Sequence, residues 1–192
     1  MAFWSTPMDS RDPKRAFRFT VEITGLGGDS VVWFAKTVQR PNFTVETAEH
    51  KYLNHTFYFP GHVTWSEVTA TIVDPTEPDA AAALHGLMET AGYGPPQNAN
   101  DLTTIGKSKA VGALGSVIIK MYDSGVSSGK GEPGSGDPAV VEKWELKNAW
   151  VSGLTPSELS YDSEDLSTIE IRFRYDYAEL TGVDGNLIFE GP

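Results

Sequence analysis

Ile169-Glu170-Ile171-Arg172-Phe173-Arg174-Tyr175-Asp176-Tyr177, preceded by Lys143-Trp144-Glu145-Leu146-Lys147-Asn148-Ala149-Trp150-Val151, is the part of the chain that decides its fold class. The first run alternates strictly, with Ile169, Ile171, Phe173, Tyr175 and Tyr177 on one side and Glu170, Arg172, Arg174 and Asp176 on the other. Period two with β-branched and aromatic residues on one face is the pattern of a half-buried antiparallel strand. The connection from Leu154 to Ser167 is polar and turn-rich, and it is expected to pair only briefly, as an edge. A long two-faced strand without catalytic decoration reads as part of a wall.

Working outward, Phe17, Phe19, Val21 and Ile23 alternate with Arg18, Thr20, Glu22 and Thr24 in another strand, which stops at Gly25-Leu26-Gly27-Gly28. Val31 to Val38 predicts a second strand, and the glycines between the two suit a hairpin. Residues 42–59 mix polar and aromatic side chains and read as a long loop or a protruding hairpin. Val63 to Val73 predicts one further strand and Ser116 to Tyr122 another. A short helix is expected after Thr76, with a capping box ending at Asp79, Pro78 in its first turn, an apolar stripe of Leu84, Leu87, Met88 and Ala91, and Gly92 as its stop. Residues between Gly94 and Ala113 read as loop. The Gly/Ser-rich stretch 124–137 is a flexible excursion without a packed core, and residues 1–14 form an irregular arm. The sum is one domain over 1–192, mainly β, a barrel or sandwich with one short flanking α-helix.

Composition narrows the chemistry. At 192 residues the chain can bury a substantial core unaided. It contains no cysteine, which removes disulfides, thiolate nucleophiles and Cys-based metal sites. Neither a signal-peptide start nor an apolar run of membrane-spanning length is present, so a soluble protein made in a cytoplasm is expected. The net charge of −11 disfavours tight nucleic-acid binding, which needs clustered Lys and Arg.

No catalytic constellation emerges. Gly129-Lys130-Gly131-Glu132-Pro133-Gly134 matches GxGxxG in letters but lacks the following helix that a dinucleotide cradle needs. His50, His55, His62 and His85 show no paired-ligand spacing, and a zinc site needs three or four convergent ligands. Asp162, Glu164 and Asp165 form an acidic turn without EF-hand spacing, read here as solvated. No GxSxG elbow occurs. Neither a cofactor nor a metal is expected, and the chain reads as a non-enzyme. Aromatic residues, by contrast, exceed what one small core needs, and those within 43–59 point to an interface.

Together these residues resemble the tail tube proteins of contractile-tailed bacteriophages, and more distantly the inner-tube proteins of contractile injection systems and type VI secretion. The resemblance rests on Phe17 to Ile23, on Phe59-Pro60-Gly61 with Val63 to Thr69, and on the helix with Ala83-Leu84-His85. It rests above all on Trp144 to Trp150 with Leu159-Ser160-Tyr161, Leu166 and Tyr175-Asp176-Tyr177. It runs from about residue 15 to 180. It implies a virion structural protein of which six copies close into rings that stack as a tube, a conduit for DNA during ejection. Its implied partners are further copies of itself, a contractile sheath, baseplate and tail terminator proteins, and a tape measure protein in the lumen. DNA would pass without tight binding, and nothing would insert in a membrane. Assembly would take place in the host cytoplasm. Tyr52, His55 and Phe57 are the expected inter-subunit contacts, and Glu170 and Asp176 the expected lumen-facing acids of a mainly negative bore. Other readings of the same residues are the inner tube of an injection particle carrying protein cargo, a ring at the tube's end, or a monomeric ligand-binding β-domain.

Overall fold

A computed structural model describes residues 14–26, 35–77, 79–95, 104–122, 140–162, 164–182 and 186–189. The strand order is β1 (Phe19–Ile23), β2 (Ala35–Val38), β3 (Phe43–Tyr52), β4 (His55–Trp65), β5 (Val68–Val73), β6 (Val117–Tyr122), β7 (Val140–Lys147), β8 (Trp150–Pro156), β9 (Thr168–Arg174), β10 (Tyr177–Thr181) and β11 (Leu187–Phe189). Among the described residues, one 3-10 turn, Thr24–Leu26, follows β1, and two helices, α1 (Ala80–Thr90) and α2 (Lys107–Leu114), lie between β5 and β6. All pairings among the described residues are antiparallel. The strands form a five-stranded sheet, β1-β6-β7-β10-β11, a four-stranded sheet, β2-β5-β9-β8, and a separate ribbon, β3-β4. The mainly-β expectation holds.

The two larger sheets close on one core. Val21 and Ile23 from β1, Val117 and Ile119 from β6, and Leu146 and Ala178 from β7 and β10 meet Ala70, Ile72, Ile171 and Phe173 from the other sheet. Phe173, Ile171 and Ile23 are wholly buried. The alternation of 169–177 is therefore a true core pattern, with Ile169, Ile171, Phe173 and Tyr175 buried and Glu170, Arg172, Arg174 and Asp176 exposed. It does not belong to one strand. β9 ends at Arg174, the chain crosses at Tyr175-Asp176, and β10 begins in the other sheet. Lys143–Val151 divides in the same way, with β7 in the five-stranded sheet and β8 in the four-stranded one. Asn148 at the crossing has φ 54°, an αL value that asparagine tolerates. One carboxylate ties the two crossings together. Asp176 accepts from Asn148 Nδ2 (2.8 Å) and Lys107 Nζ (2.7 Å), and its backbone N–H donates to Lys147 O (3.1 Å).

Several sequence expectations are corrected. β1 and β2 are not a hairpin: β1 pairs with β6 and β2 with β5, so long-range partners override the local glycine signal. Residues 63–73 hold two strands, because Ser66-Glu67 breaks the run between the ribbon and the four-stranded sheet. The connection after Val151 does pair briefly at an edge, as expected: Leu154-Thr155-Pro156 ends the outer strand β8, with Leu154 across from Ile171. The predicted loop 94–113 contains most of α2, so the flanking helices number two among the described residues.

Helix α1 lies where the periodicity places it, but its cap is Asp79, whose Oδ1 accepts from Ala82 N–H at 2.9 Å. Pro78 lies outside the described residues. Leu84, Leu87 and Ala91 are buried. Gly92 at φ +101° ends the helix while its N–H reaches Glu89 O and the Tyr93 N–H reaches Met88 O. That pair of bonds is a Schellman motif, with glycine at the left-handed position. Helix α2 is held at its far end by a close backbone approach: a Cβ on Gly25 would stand 2.2 Å from Ala113 O. The arm 1–13, Trp33, Phe34 and the excursion 124–137 lie outside the described residues.

Candidate functional site

The β3–β4 ribbon is the part of the molecule with no internal explanation. Every residue of β3 is exposed, and β4 is exposed except for Thr56 and Trp65. Ten residues at about 3.3 Å each make β3 roughly 30 Å long. The hairpin alternative for 43–59 is thus the observed one, and it continues to Trp65. Its root is anchored: Phe43 packs on Trp65 (5.2 Å between centroids), Trp65 on the buried ring of Tyr175 (5.9 Å), and Ser66 N–H bonds to Asn42 O. Burial pushes the Tyr175 hydroxyl up to about 12, with the Asn42 backbone and the Arg174 charge pulling the other way.

Register fixes the two faces of the ribbon. Ala48 opposes Phe59, His50 opposes Phe57 and Tyr52 opposes His55, and these six residues share one side. Glu49 with Tyr58, Lys51 with Thr56, and Val45 with Val63 share the other. The shift between Val45 and Thr47 is a bulge, which twists the ribbon without exchanging its faces. Tyr52, His55 and Phe57, the expected contact residues, therefore lie together on one face near the tip, with His55 edge-on to Phe57 at 4.7 Å. Tyr52 is 64% exposed, and Leu53 in the turn, at φ 53°, is 88% exposed. Large apolar side chains on both faces of an isolated two-stranded ribbon leave it marginal until something covers it.

The two expected lumen acids do not share a site. Glu170 lies on the open face of the four-stranded sheet with Arg172, 3.9 Å from its carboxylate. Arg174 on the same face stands 3.8 Å from Glu67. Asp176 sits at the crossing between sheets, held by Lys107 and Asn148, which keep its carboxyl below the usual aspartate range. The open face of the five-stranded sheet differs again, with closely paired ions: Glu22–Lys120 (2.5 Å), Glu145–Lys147 (2.7 Å) and Lys147–Glu179 (3.0 Å).

Two features escaped the sequence reading. Glu142 is only 6% exposed, points into the end of the core, and is met by Lys14, by Arg40 (3.6 Å) and by Trp144 Nε1 (2.5 Å). Burial alone would raise its pKa, and the bonds from Lys14 and Trp144 with the charges of Lys14 and Arg40 bring it below the ordinary value. The second feature is the loop after β8, where Leu159, Tyr161 and Leu166 are strongly exposed. In sequence these residues only carried the resemblance, and the acids around them made the loop read as solvated. Among the described residues no cluster of three His, Asp or Glu has metal-binding geometry, and no helix is long and apolar enough to cross a membrane.

No protein-family model matches the sequence, and no curated protein matches it. Solved structures do. The chain is similar to a chain of the PVC sheath–tube complex of an extracellular contractile injection system in its extended state, with a TM-score of 0.60, 14% identity, and 90% of this chain and 94% of that one covered. It is similar to a chain of the PVC sheath/tube terminator in the extended state, at TM-score 0.60 and 17% identity, with coverage of 89% and 98%. It is also similar to an Hcp protein, at TM-score 0.51 and 10% identity, with coverage of 88% and 96%. The chain has the fold of these proteins over about nine-tenths of its length.

Proposed function

We propose that this chain is a tube-forming structural subunit of a contractile tail, closing as rings of six copies that stack into a hollow conduit. The observation that carries the reading is the β3–β4 ribbon, exposed along its length and apolar on both faces, on a body that otherwise completes its own core. Such a ribbon is built to be covered by neighbouring copies, with Tyr52, His55 and Phe57 as contacts on one face. β2 and β8 are the outer strands of the four-stranded sheet, so pairing β2 of one copy with β8 of the next would close a ring and bury both edges. In that ring the open face carrying Glu170, Arg172 and Arg174 lines the bore, while Asp176 serves the crossing between sheets. The partners follow from the role: sheath outside, baseplate and terminator at the ends, tape measure protein and then DNA within, in a virion tail assembled in the host cytoplasm. The subunit itself catalyses nothing and holds no cofactor.

A second reading is favoured by the similarity to an extracellular contractile injection system: the same tube in a particle that delivers protein. Mixed charge on the Glu170 face suits a polypeptide as well as DNA. Negative-stain electron microscopy across a concentration series tests the shared core of both readings. Rings or tubes of uniform width are expected. A chain that stays monomeric even with baseplate seeds overturns both and returns the monomeric ligand-binding alternative.

A further inference from the structure

The four-stranded sheet has two unlike ends. Strand β9 runs from Thr168 at one end to Arg174 at the other, and its antiparallel partner β5 runs from Val73 to Val68. At the Arg174 end, Gln39 N–H bonds to Thr69 O and leads into Arg40. Arg40 shares a small cavity of about 220 Å³ with Lys14 and Phe19, so the segment Lys14–Arg18 lies at this end too. The result is a basic end bearing Lys14, Arg15, Arg18, Arg40 and Arg174, with Phe17 exposed beside them. Among the described residues its acids are Glu142, engaged by Lys14 and Arg40, and Glu67, near Arg174, while the neighbouring Asp176 pairs with Lys107.

The opposite end carries the loop 157–167. Its neck is pinned, with Ser157 N–H donating to Thr168 O and Thr168 N–H to Ser157 Oγ, and Asp74 N–H donating to Ser167 O. Around a groove of about 580 Å³, Leu159, Tyr161 and Leu166 stand out, Leu159 84% exposed, together with Glu158 and Asp165; Asp162 and Glu164 stand beside them in the loop. Among the described residues lining the groove, Lys36 is the one basic side chain. This end is acidic and apolar where the other is basic and apolar.

We propose that these ends are one heterologous interface: the 157–167 groove of one copy receives the Arg15–Arg18 segment of the next, with Phe17 among Leu159, Tyr161 and Leu166. The inference rests on the tube reading and adds which surfaces stack the rings and what sets their direction. Copies with a net charge of −11 repel at distance, so association needs a local match of opposite sign. Complementary patches at opposite ends of one sheet repeat head to tail, which gives an open stack of a single polarity when no rotation closes it. The reversed orientations set acid on acid or base on base, and that repulsion excludes them. The β3–β4 ribbon also roots at the basic end, where Ser66 N–H bonds to Asn42 O.

The test uses two full-length variants, each checked for folding by thermal melting. Glu158→Lys with Asp162→Lys and Glu164→Lys makes both ends basic, and Arg15→Glu with Arg174→Glu makes both ends acidic. Each alone is expected to form rings but no tubes, and an equimolar mixture is expected to form tubes of alternating composition. Neutralisation, Glu158→Gln with Asp162→Asn and Glu164→Gln, is expected to raise the concentration needed for tubes about tenfold. Parent-like tubes from either reversed variant alone, or a mixture of folded variants that stays as rings, overturns the interface. A parent chain that forms neither rings nor tubes overturns the tube reading, and this interface with it.

Discussion

β9 and β3 are strands of similar composition with opposite fates. Both alternate or mix apolar and charged residues, and both pair antiparallel with a well-defined register. In β9 every second side chain is buried, down to the wholly enclosed Phe173, because helices and a second sheet lie behind it. In β3 none is buried, because only β4 accompanies it. Pairing satisfies the backbone in both. Only layering removes apolar surface from water, at about 25 cal/mol per Å². The body is therefore stable on its own account, while the ribbon holds its apolar surface in reserve for another chain.

The largest effect that separates the two regions is a cavity in the body. Phe173→Ala should lower unfolding stability by about 3–5 kcal/mol, measured by chemical denaturation of the unassembled chain. A loss under about 1 kcal/mol would mean that the core is not the source of stability. Next comes Glu142, which joins Lys14 and Arg40 to the end of the core. Glu142→Ala leaves two cations and an indole N–H without their acceptor and should cost about 2 kcal/mol. Because the folded carboxyl titrates below its ordinary value, its contribution is complete above the unfolded value of 4.5 and is lost as pH falls through the lower folded value. Stability of the parent should thus decline in acid more steeply than that of Glu142→Ala. Parallel declines would remove Glu142 from the account. Smaller still, Asp79→Ala removes the α1 cap and should cost about 1 kcal/mol without touching assembly.

The legible parts of the fold were those in which local pattern and long-range packing agree. Ile169 to Tyr175 announced its buried face, and Leu84, Leu87 and Gly92 announced α1 and its stop. The two crossings were invisible because Asn148 and Asp176 look like ordinary polar positions within continuous strands. Their role exists only where the two strand pairs meet. α2 was hidden because Lys107 to Leu114 buries little beyond Ala110 and Leu114 and contains Gly112. The glycines after Ile23 suggested a hairpin, and the pairing of β1 with β6, nearly a hundred residues on, outweighs them. At the site, aromatics in 43–59 were readable because nothing local could bury them. Leu159, Tyr161 and Leu166 were not, since four acids between residues 158 and 165 made the loop look merely solvated.

The smallest expected change in stability is the most informative about the ribbon. Phe57→Ser with Tyr58→Ser removes one ring from each face, because adjacent residues in a strand point to opposite sides. Both rings are already exposed in the single chain, so unfolding stability should move by no more than about 0.5 kcal/mol. Assembly should fail, since each ring lost there is lost from a contact that would have been buried. Melting of the unassembled variant and electron microscopy of the concentrated one read the two quantities separately. A variant that melts as early as Phe173→Ala would make the ribbon part of the body's own stability. A variant that melts like the parent and still builds tubes would move the contacts elsewhere, to the sheet edges and ends. Unchanged melting with lost tubes is the only result that keeps β3 and β9 on opposite sides of the comparison.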